Sequence, residues 1–150
     1  MSNTYCQLHY HLVWSTKDRQ PIIDNEFKEN LYKYLAGGVK GEGGQLIEIG
    51  GVCDHVHLLV TLSPHYPVAK LVQKIKISSS KWVSQNIPRR HYYSWQEGYG
   101  AFSVSASNKS KVVQYIKNQE QHHMKQSFQD EFLELIRKHD VPFEEKYLWK

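Results

Sequence analysis

The sequence predicts an α+β domain of the ferredoxin-like (RRM-like) kind, an antiparallel sheet with helices packed on it and extra C-terminal helices. Three observations predict it. Segments rich in β-formers and segments of helical period succeed one another as β-α-β-β-α-β-α-α, the ferredoxin-like order followed by further helices. The two middle strand segments adjoin, most simply as neighbours in one sheet. No linker, internal repeat or low-complexity stretch divides the chain, so residues 1–150 read as one domain, long enough to bury a proper core.

The elements follow in order. YCQLHYHLVWST is a first strand rich in β-formers, and TKDRQP is its polar exit. Asp24 is placed to cap a helix whose apolar residues Phe27, Leu31, Tyr34 and Leu35 recur at helical spacing. Gly37 and Gly38 weaken the end of that helix, and Gly41, Gly43 and Gly44 form a turn. QLIEIGGV and DHVHLLVTL are adjacent strands around a glycine pair. Pro64 and Pro67 introduce a second helix with Val68, Leu71, Val72, Ile75, Ser79, Trp82 and Val83 on one face and Lys70, Lys74 and Lys81 in a stripe on another; Pro88 closes it. SWQEGYGAFSVS is a fourth strand. Asn108 is placed to cap the helix NKSKVVQYIKNQEQHH, with core positions Val112, Val113 and Ile116. Ser127 with Asp130 resembles a capping box ahead of a last helix carrying Phe128, Phe132, Leu135 and Ile136.

Composition narrows the function classes. A chain that is 40% hydrophobic and 13% aromatic is folded rather than disordered. No apolar run approaches the ~20 residues of a membrane span, and the start MSNTYCQLHYHLVW lacks the pattern of a signal peptide. Two cysteines, Cys6 and Cys53, point to free thiols in a reducing cytoplasm rather than to a disulfide framework. A net charge of +4 permits a polyanionic partner.

The chemistry concentrates in two segments. Side chains alternate along a strand, so Val56, Leu58, Val60 and Leu62 form a dry face and His55 and His57 point together the other way. Tyr115 and Gln119, four residues apart, project from one face of a helix. Two imidazoles, a carboxamide and a phenol that converge would make a metal-assisted nucleophilic site for phosphoryl transfer. Two imidazoles and an amide oxygen suit Mn²⁺ and tolerate Mg²⁺. Strand alternation also allows Cys53 to face the histidines. His122 and His123 follow Gln119 closely enough for an auxiliary role, helix-end packing or capping being the plainer one. His9 and His11 read as sheet residues, with His11 near the site if its strand neighbours that of His55. Lys17, Arg19, Lys70, Lys74 and Lys81 are candidate phosphate contacts; Trp95, Tyr99 and Phe102 are stacking or core residues; Arg89, Arg90 and His91 form a basic loop.

These motifs also carry a resemblance. HVHLLV is like the His-hydrophobe-His motif of HUH nucleases, and YIKNQEQHH is similar to the catalytic-tyrosine helix of the IS200/IS605-type single-tyrosine transposases. HLVWSTKDRQPI, LVQKIKISSSKW, WQEGYGAFSVS and the tail FQDEFLELIRKHDVPFEEKYLW extend it over nearly the whole chain. The resemblance implies a metal-dependent endonuclease and strand transferase that cuts and rejoins single-stranded DNA at element ends, with Tyr115 as nucleophile and a 5′-phosphotyrosine intermediate. It implies a divalent metal at His55, His57 and Gln119, hairpin-bearing DNA ends, and a homodimer whose sites combine the tyrosine helix of one subunit with the histidines of the other. Two other functions fit the same residues in part: a domesticated relative that processes chromosomal palindromes, and a non-catalytic binding module for single strands.

Overall fold

Alternation along the strands sorts this chain into three layers. The structure, a computed structural model, describes residues 3–150. In chain order it contains β1 (His9–Ser15), α1 (Asn25–Gly41), β2 (Gln45–Val52), β3 (His55–Thr61), α2 (Val68–Asn86), β4 (Gly100–Val104), α3 (Lys109–Lys117), α4 (Gln119–His122) and α5 (Phe128–Lys138). The sheet order is β2-β3-β1-β4 and every neighbouring pair is antiparallel. This is the predicted ferredoxin-like architecture with C-terminal helices added.

One face of the sheet presents Leu12, Trp14, Val56, Leu58 and Val60, which pack against Phe27, Leu31, Leu35 and Val39 of α1 and Leu71, Val72, Ile75 and Val83 of α2. The opposite face carries two smaller apolar clusters. Val13 and Phe102 meet Phe128, Phe132 and Ile136 of α5, while Leu59 and Val104 meet Ile116 of α3. The histidines lie between these clusters, so the helices that the sequence places after the ferredoxin-like unit roof them over. Each large apolar side chain fully removed from water contributes about 1.5–3 kcal/mol, enough for Phe128, Phe132 and Ile136 to hold α5 in a set position.

Several local expectations are refined. The helix read as one piece from Asn108 to His123 breaks at Asn118, whose φ of −93° and ψ of 17° separate α3 from α4. α1 runs on through Gly37 and Gly38 to Gly41, and Gly38 admits the close crossing of α2: a Cβ there would lie 3.0 Å from Cγ2 of Ile75. The pair Gly50–Gly51 lies inside β2, and the chain reverses at Cys53 and Asp54. Asp24 sits at the N-cap of α1, but its carboxylate receives Nη2 of Arg90 at 2.9 Å instead of capping. Asn108 makes no side-chain cap bond, whereas Ser127 Oγ accepts from the Asp130 amide as the capping reading requires. Among the described residues no helix is long and apolar enough to cross a membrane.

Candidate active site

The site is built on β3, the second strand in sheet order. His55 and His57 project from one face of it, both fully buried. Val13 lies opposite His57 and Ser15 opposite His55, which puts His11, two residues before Val13 on β1, diagonally beside His57. Nε2 of His11 is 2.8 Å from Nδ1 of His57. On the other side of β3, Gly50 of β2 is the cross-strand partner of His57. Gly50 lets α3 come down onto the sheet, since a Cβ there would collide with the carbonyl oxygen of Ile116. That close approach carries Tyr115 over the histidines, its ring centroid 5.7 Å from that of His57 and 6.0 Å from that of His11.

The four residues singled out for chemistry do converge. Nε2 of His55 lies 3.0 Å from Oε1 of Gln119, and Nε2 of Gln119 donates to Oε2 of Glu131 at 3.0 Å. The Tyr115 hydroxyl donates to the same oxygen. Glu131 is the group that sequence reasoning missed. Its other oxygen receives Nε2 of His57 at 2.9 Å and Nε2 of His123 at 3.0 Å, and Nε2 of His55 is 3.3 Å away. His123 is turned toward this carboxylate because its Nδ1 is held at 2.6 Å by the carbonyl of Gln126. His122 stands further off, 3.4 Å from Glu131. The one signal in the sequence was an acidic residue on the apolar side of α5, one position from Phe132.

Charge is distributed unevenly over this cluster. Burial opposes a charge on His55, but hydrogen bonds to Asp54 and Glu131 outweigh it and push its pKa up to about 9. His57 goes the other way: burial pulls it down to about 4 despite Glu131. Burial, then the neighbouring His57, holds His11 well below the ordinary imidazole range. Burial also works against the charge on Glu131, yet hydrogen bonds from His123, His55 and His57 keep its carboxyl well below the usual carboxylate range. Burial, then the Glu131 charge, raises the Tyr115 phenol well above its ordinary value. The phenol is therefore a protonated donor here and requires activation to act as a nucleophile.

The donor set fits a divalent cation. His55, His57, His123 and Glu131 each offer one ligand atom, and these atoms lie within 4.8 Å of one another. The nitrogen–oxygen separations near 3 Å are those of adjacent ligands around a metal at ~2.1 Å. The outward nitrogens of both strand histidines have fixed partners, Asp54 Oδ1 at 2.6 Å for His55 and His11 for His57, an arrangement that orients metal-binding imidazoles.

The remaining candidates are scattered. Arg19 lines an open cleft of about 320 Å³ together with Cys53, Asp54, His123 and Phe128, so it stands at an approach to the cluster. It also donates to the carbonyl of Trp149 at 3.3 Å. Lys17 is exposed beside it. Lys70, Lys74 and Lys81 are exposed on α2, on the far side of the sheet from the histidines, and Lys74 is paired with Glu42 at 2.6 Å. Arg89 and Arg90 are engaged by Glu26 and Asp24. Trp95 is a core residue whose Nε1 donates to Ser79, Phe102 is buried under α5, and Tyr99 is exposed. Cys53 is exposed and outside the cluster.

Comparison with known sequences places the chain among the transposases. Residues 4–119 match the family model described as Transposase IS200 like, and the chain belongs to that family. It is 26% identical over 118 residues to the ISDra2 transposase TnpA of Deinococcus radiodurans, covering 75% of this chain and 84% of that protein. It is 23% identical over 124 residues to the transposase for insertion sequence element IS200 of Salmonella typhimurium, covering 79% and 81%. Among solved structures, a Deinococcus radiodurans R1 protein assigned as a transposase superposes with a TM-score of 0.64 at 26% identity, over 79% of this chain and 95% of that one. A REP-associated tyrosine transposase bound to a REP hairpin superposes with a TM-score of 0.62 at 12% identity, over 82% and 73%, a likeness of fold. His123 and Glu131 lie beyond the matched segment.

Proposed function

We propose that this transposase cuts and rejoins single-stranded DNA, with Tyr115 as nucleophile and His55, His57 and Gln119 as ligands of a divalent metal, Mg²⁺ or Mn²⁺. The observation that carries the reading is the convergence of the Tyr115 hydroxyl, the inward nitrogens of His55 and His57 and the Gln119 carboxamide at one buried point.

In this reading Tyr115 attacks the phosphorus of the scissile phosphodiester through its phenolic oxygen. As the P–O bond to the 3′ oxygen breaks, the phenolic proton passes, directly or by way of solvent, to that departing oxygen, and the products are a 5′-phosphotyrosine and a free 3′-OH. The phosphotyrosine bond conserves the energy of the broken linkage, so a 3′-OH can attack it in reverse and rejoin strands without ATP. When bound, the cation withdraws charge from the non-bridging oxygens and orients the phosphate. Gln119 and the strand histidines would hold it in place, Asp54 and His11 fix the two imidazole rings, and the roof of α3–α5 excludes bulk water.

The partner is single-stranded DNA with hairpin-bearing ends, a reading supported by family membership and by the hairpin bound to the structural neighbour of like fold. Arg19 and Lys17, at and beside the cleft, are the phosphate contacts best placed for the site, and Lys70, Lys74 and Lys81 form a separate basic strip. A homodimer whose sites pair the tyrosine helix of one subunit with the histidines of the other belongs to the reading, and Tyr115 also reaches the histidines of its own chain.

The test is incubation of the full chain with labelled single strands from the DNA flanking its gene, each also presented as a full duplex. A covalent adduct on a single strand and little or none on its duplex is expected, since presenting a duplex phosphate to this site requires costly distortion. No adduct on any strand, or equal rates on both forms, would overturn the proposal.

A further inference from the structure

We propose that Glu131, carried by α5 beyond the family-matched segment, is a further ligand of the same divalent cation and the side chain that ties it to Tyr115. The inference rests on the metal-assisted reading above.

Glu131 is a carboxylate where the packing alone would take an apolar residue. It sits among Phe128, Phe132 and Ile136 on the buried side of α5 and is 1% exposed. Acidic side chains are almost never this buried unless paired, and an unpaired buried charge is costly. Its two oxygens face different groups. Oε1 faces the inward nitrogens of His57, His123 and His55 at 2.9, 3.0 and 3.3 Å; Oε2 accepts from Gln119 and Tyr115. Oε1 thus stands at the spacing of one more ligand in the coordination polyhedron, while Oε2 remains in contact with the nucleophile.

The ligand chemistry points the same way. His55, His57 and Gln119 together are a neutral set, whereas Mg²⁺ and Mn²⁺ favour anionic oxygen. Glu131 supplies the negative charge that the three lack. These four residues would hold the cation and leave room for phosphate oxygens or water beside it. His123, held by the Gln126 carbonyl, also directs Nε2 at Oε1.

The experiment measures Mn²⁺ binding to the full chain without DNA, by the loss of the free Mn²⁺ paramagnetic resonance signal and by the rise in melting temperature that a native-state ligand produces. Glu131→Gln should bind at least about tenfold more weakly than the wild type, on the scale seen when a metal site loses a supporting group. Glu131→Asp, which keeps the charge but withdraws it by one methylene, should fall between them, and Tyr115→Phe should bind nearly as the wild type does. If His57→Ala weakens binding while Glu131→Gln binds as tightly as the wild type, or more tightly, this inference falls and the metal site stands. If the wild type binds no Mn²⁺, the metal-assisted reading falls and this inference with it. Should circular dichroism show Glu131→Gln to be unfolded, the Asp variant decides: wild-type affinity there overturns the assignment.

Discussion

The Tyr115 hydroxyl donates to Oε2 of Glu131, a carboxylate sixteen residues further along the chain and on a different helix. The other oxygen of that carboxylate receives His57. One buried side chain thus joins the nucleophile of the proposed reaction to the strand histidines.

Tyr115→Phe removes only the hydroxyl. Glu131 keeps its bonds from His57, His123 and Gln119, so the loss in stability should be about 1.5–3 kcal/mol, the value of one hydrogen bond to a charged group. Covalent protein–DNA adducts should vanish on a denaturing gel with labelled single strands, while binding in a gel-shift assay persists. Adduct formation by the Phe variant would remove Tyr115 from its role.

Metal removal should silence the wild type. EDTA is expected to abolish cleavage, and excess Mn²⁺ to restore it. His57→Ala should cleave poorly even in excess Mn²⁺, and it should unfold earlier in urea by about 2–4 kcal/mol, because it opens a buried cavity and leaves a bond to Glu131 unmade. Cleavage that continues unchanged in EDTA contradicts the metal-assisted reading.

Gly50→Ala tests how α3 is positioned. The added Cβ meets the Ile116 carbonyl, part of helix backbone that cannot rotate away, so α3 must shift off the sheet and take Tyr115 with it. A loss of about 1–3 kcal/mol in urea unfolding is expected, as for other overpacked sites, together with a drop in adduct yield larger than the fraction unfolded explains. Wild-type stability and yield would show that α3 docks without this close approach.

Lys76 makes a pH prediction. Its ammonium donates to the carbonyls of Gln96 and Gly98 at 2.6 and 2.8 Å, and burial pulls its pKa from 10.5 down to about 8. Below pH 8 both folded and unfolded states carry the proton, and the folded state bears the whole burial cost. Between pH 8 and 10.5 the unfolded state binds more protons, so this residue's contribution makes the fold more stable as pH rises. The wild type should therefore gain in urea midpoint relative to Lys76→Met on going from pH 7.5 to 9.5. An unchanged difference would mean that Lys76 keeps an ordinary pKa in the folded protein.

Mixing Tyr115→Phe with His57→Ala subunits separates two ways of assembling the site. If α3 is exchanged between subunits, as the proposed dimer has it, a heterodimer gathers both defects in one site and leaves the other intact, so cleavage should return. A mixture that stays inactive would show that each site is built within one chain, where Tyr115 already meets His57.

Local pattern made much of this protein legible. Period-two alternation is a property of a single strand, so the shared face of His55 and His57 could be read without knowing what packs on it. The 3.6-residue period placed Tyr115 and Gln119 together in the same way, and they still converge although the helix breaks at Asn118. Where the reading slipped, a neighbour overrides a local preference: the carboxylate of Asp24 turns from capping to Arg90.

The sequence by itself determined the order of elements, the apolar faces, the strand histidines and the tyrosine helix, because each depends on spacing within one segment. Only the tertiary structure decided that His11 supports His57, that Gly50 admits α3, and that Glu131 and His123 enter the cluster. These contacts join residues on different elements, some of them far apart in the chain. They follow from the sheet order β2-β3-β1-β4 and from the docking of α5 by Phe128, Phe132 and Ile136, and no local period encodes either. The lysine stripe of α2 shows the same limit from the other direction: its spacing is helical and its charge real, but packing sets it on the far side of the sheet from the histidines.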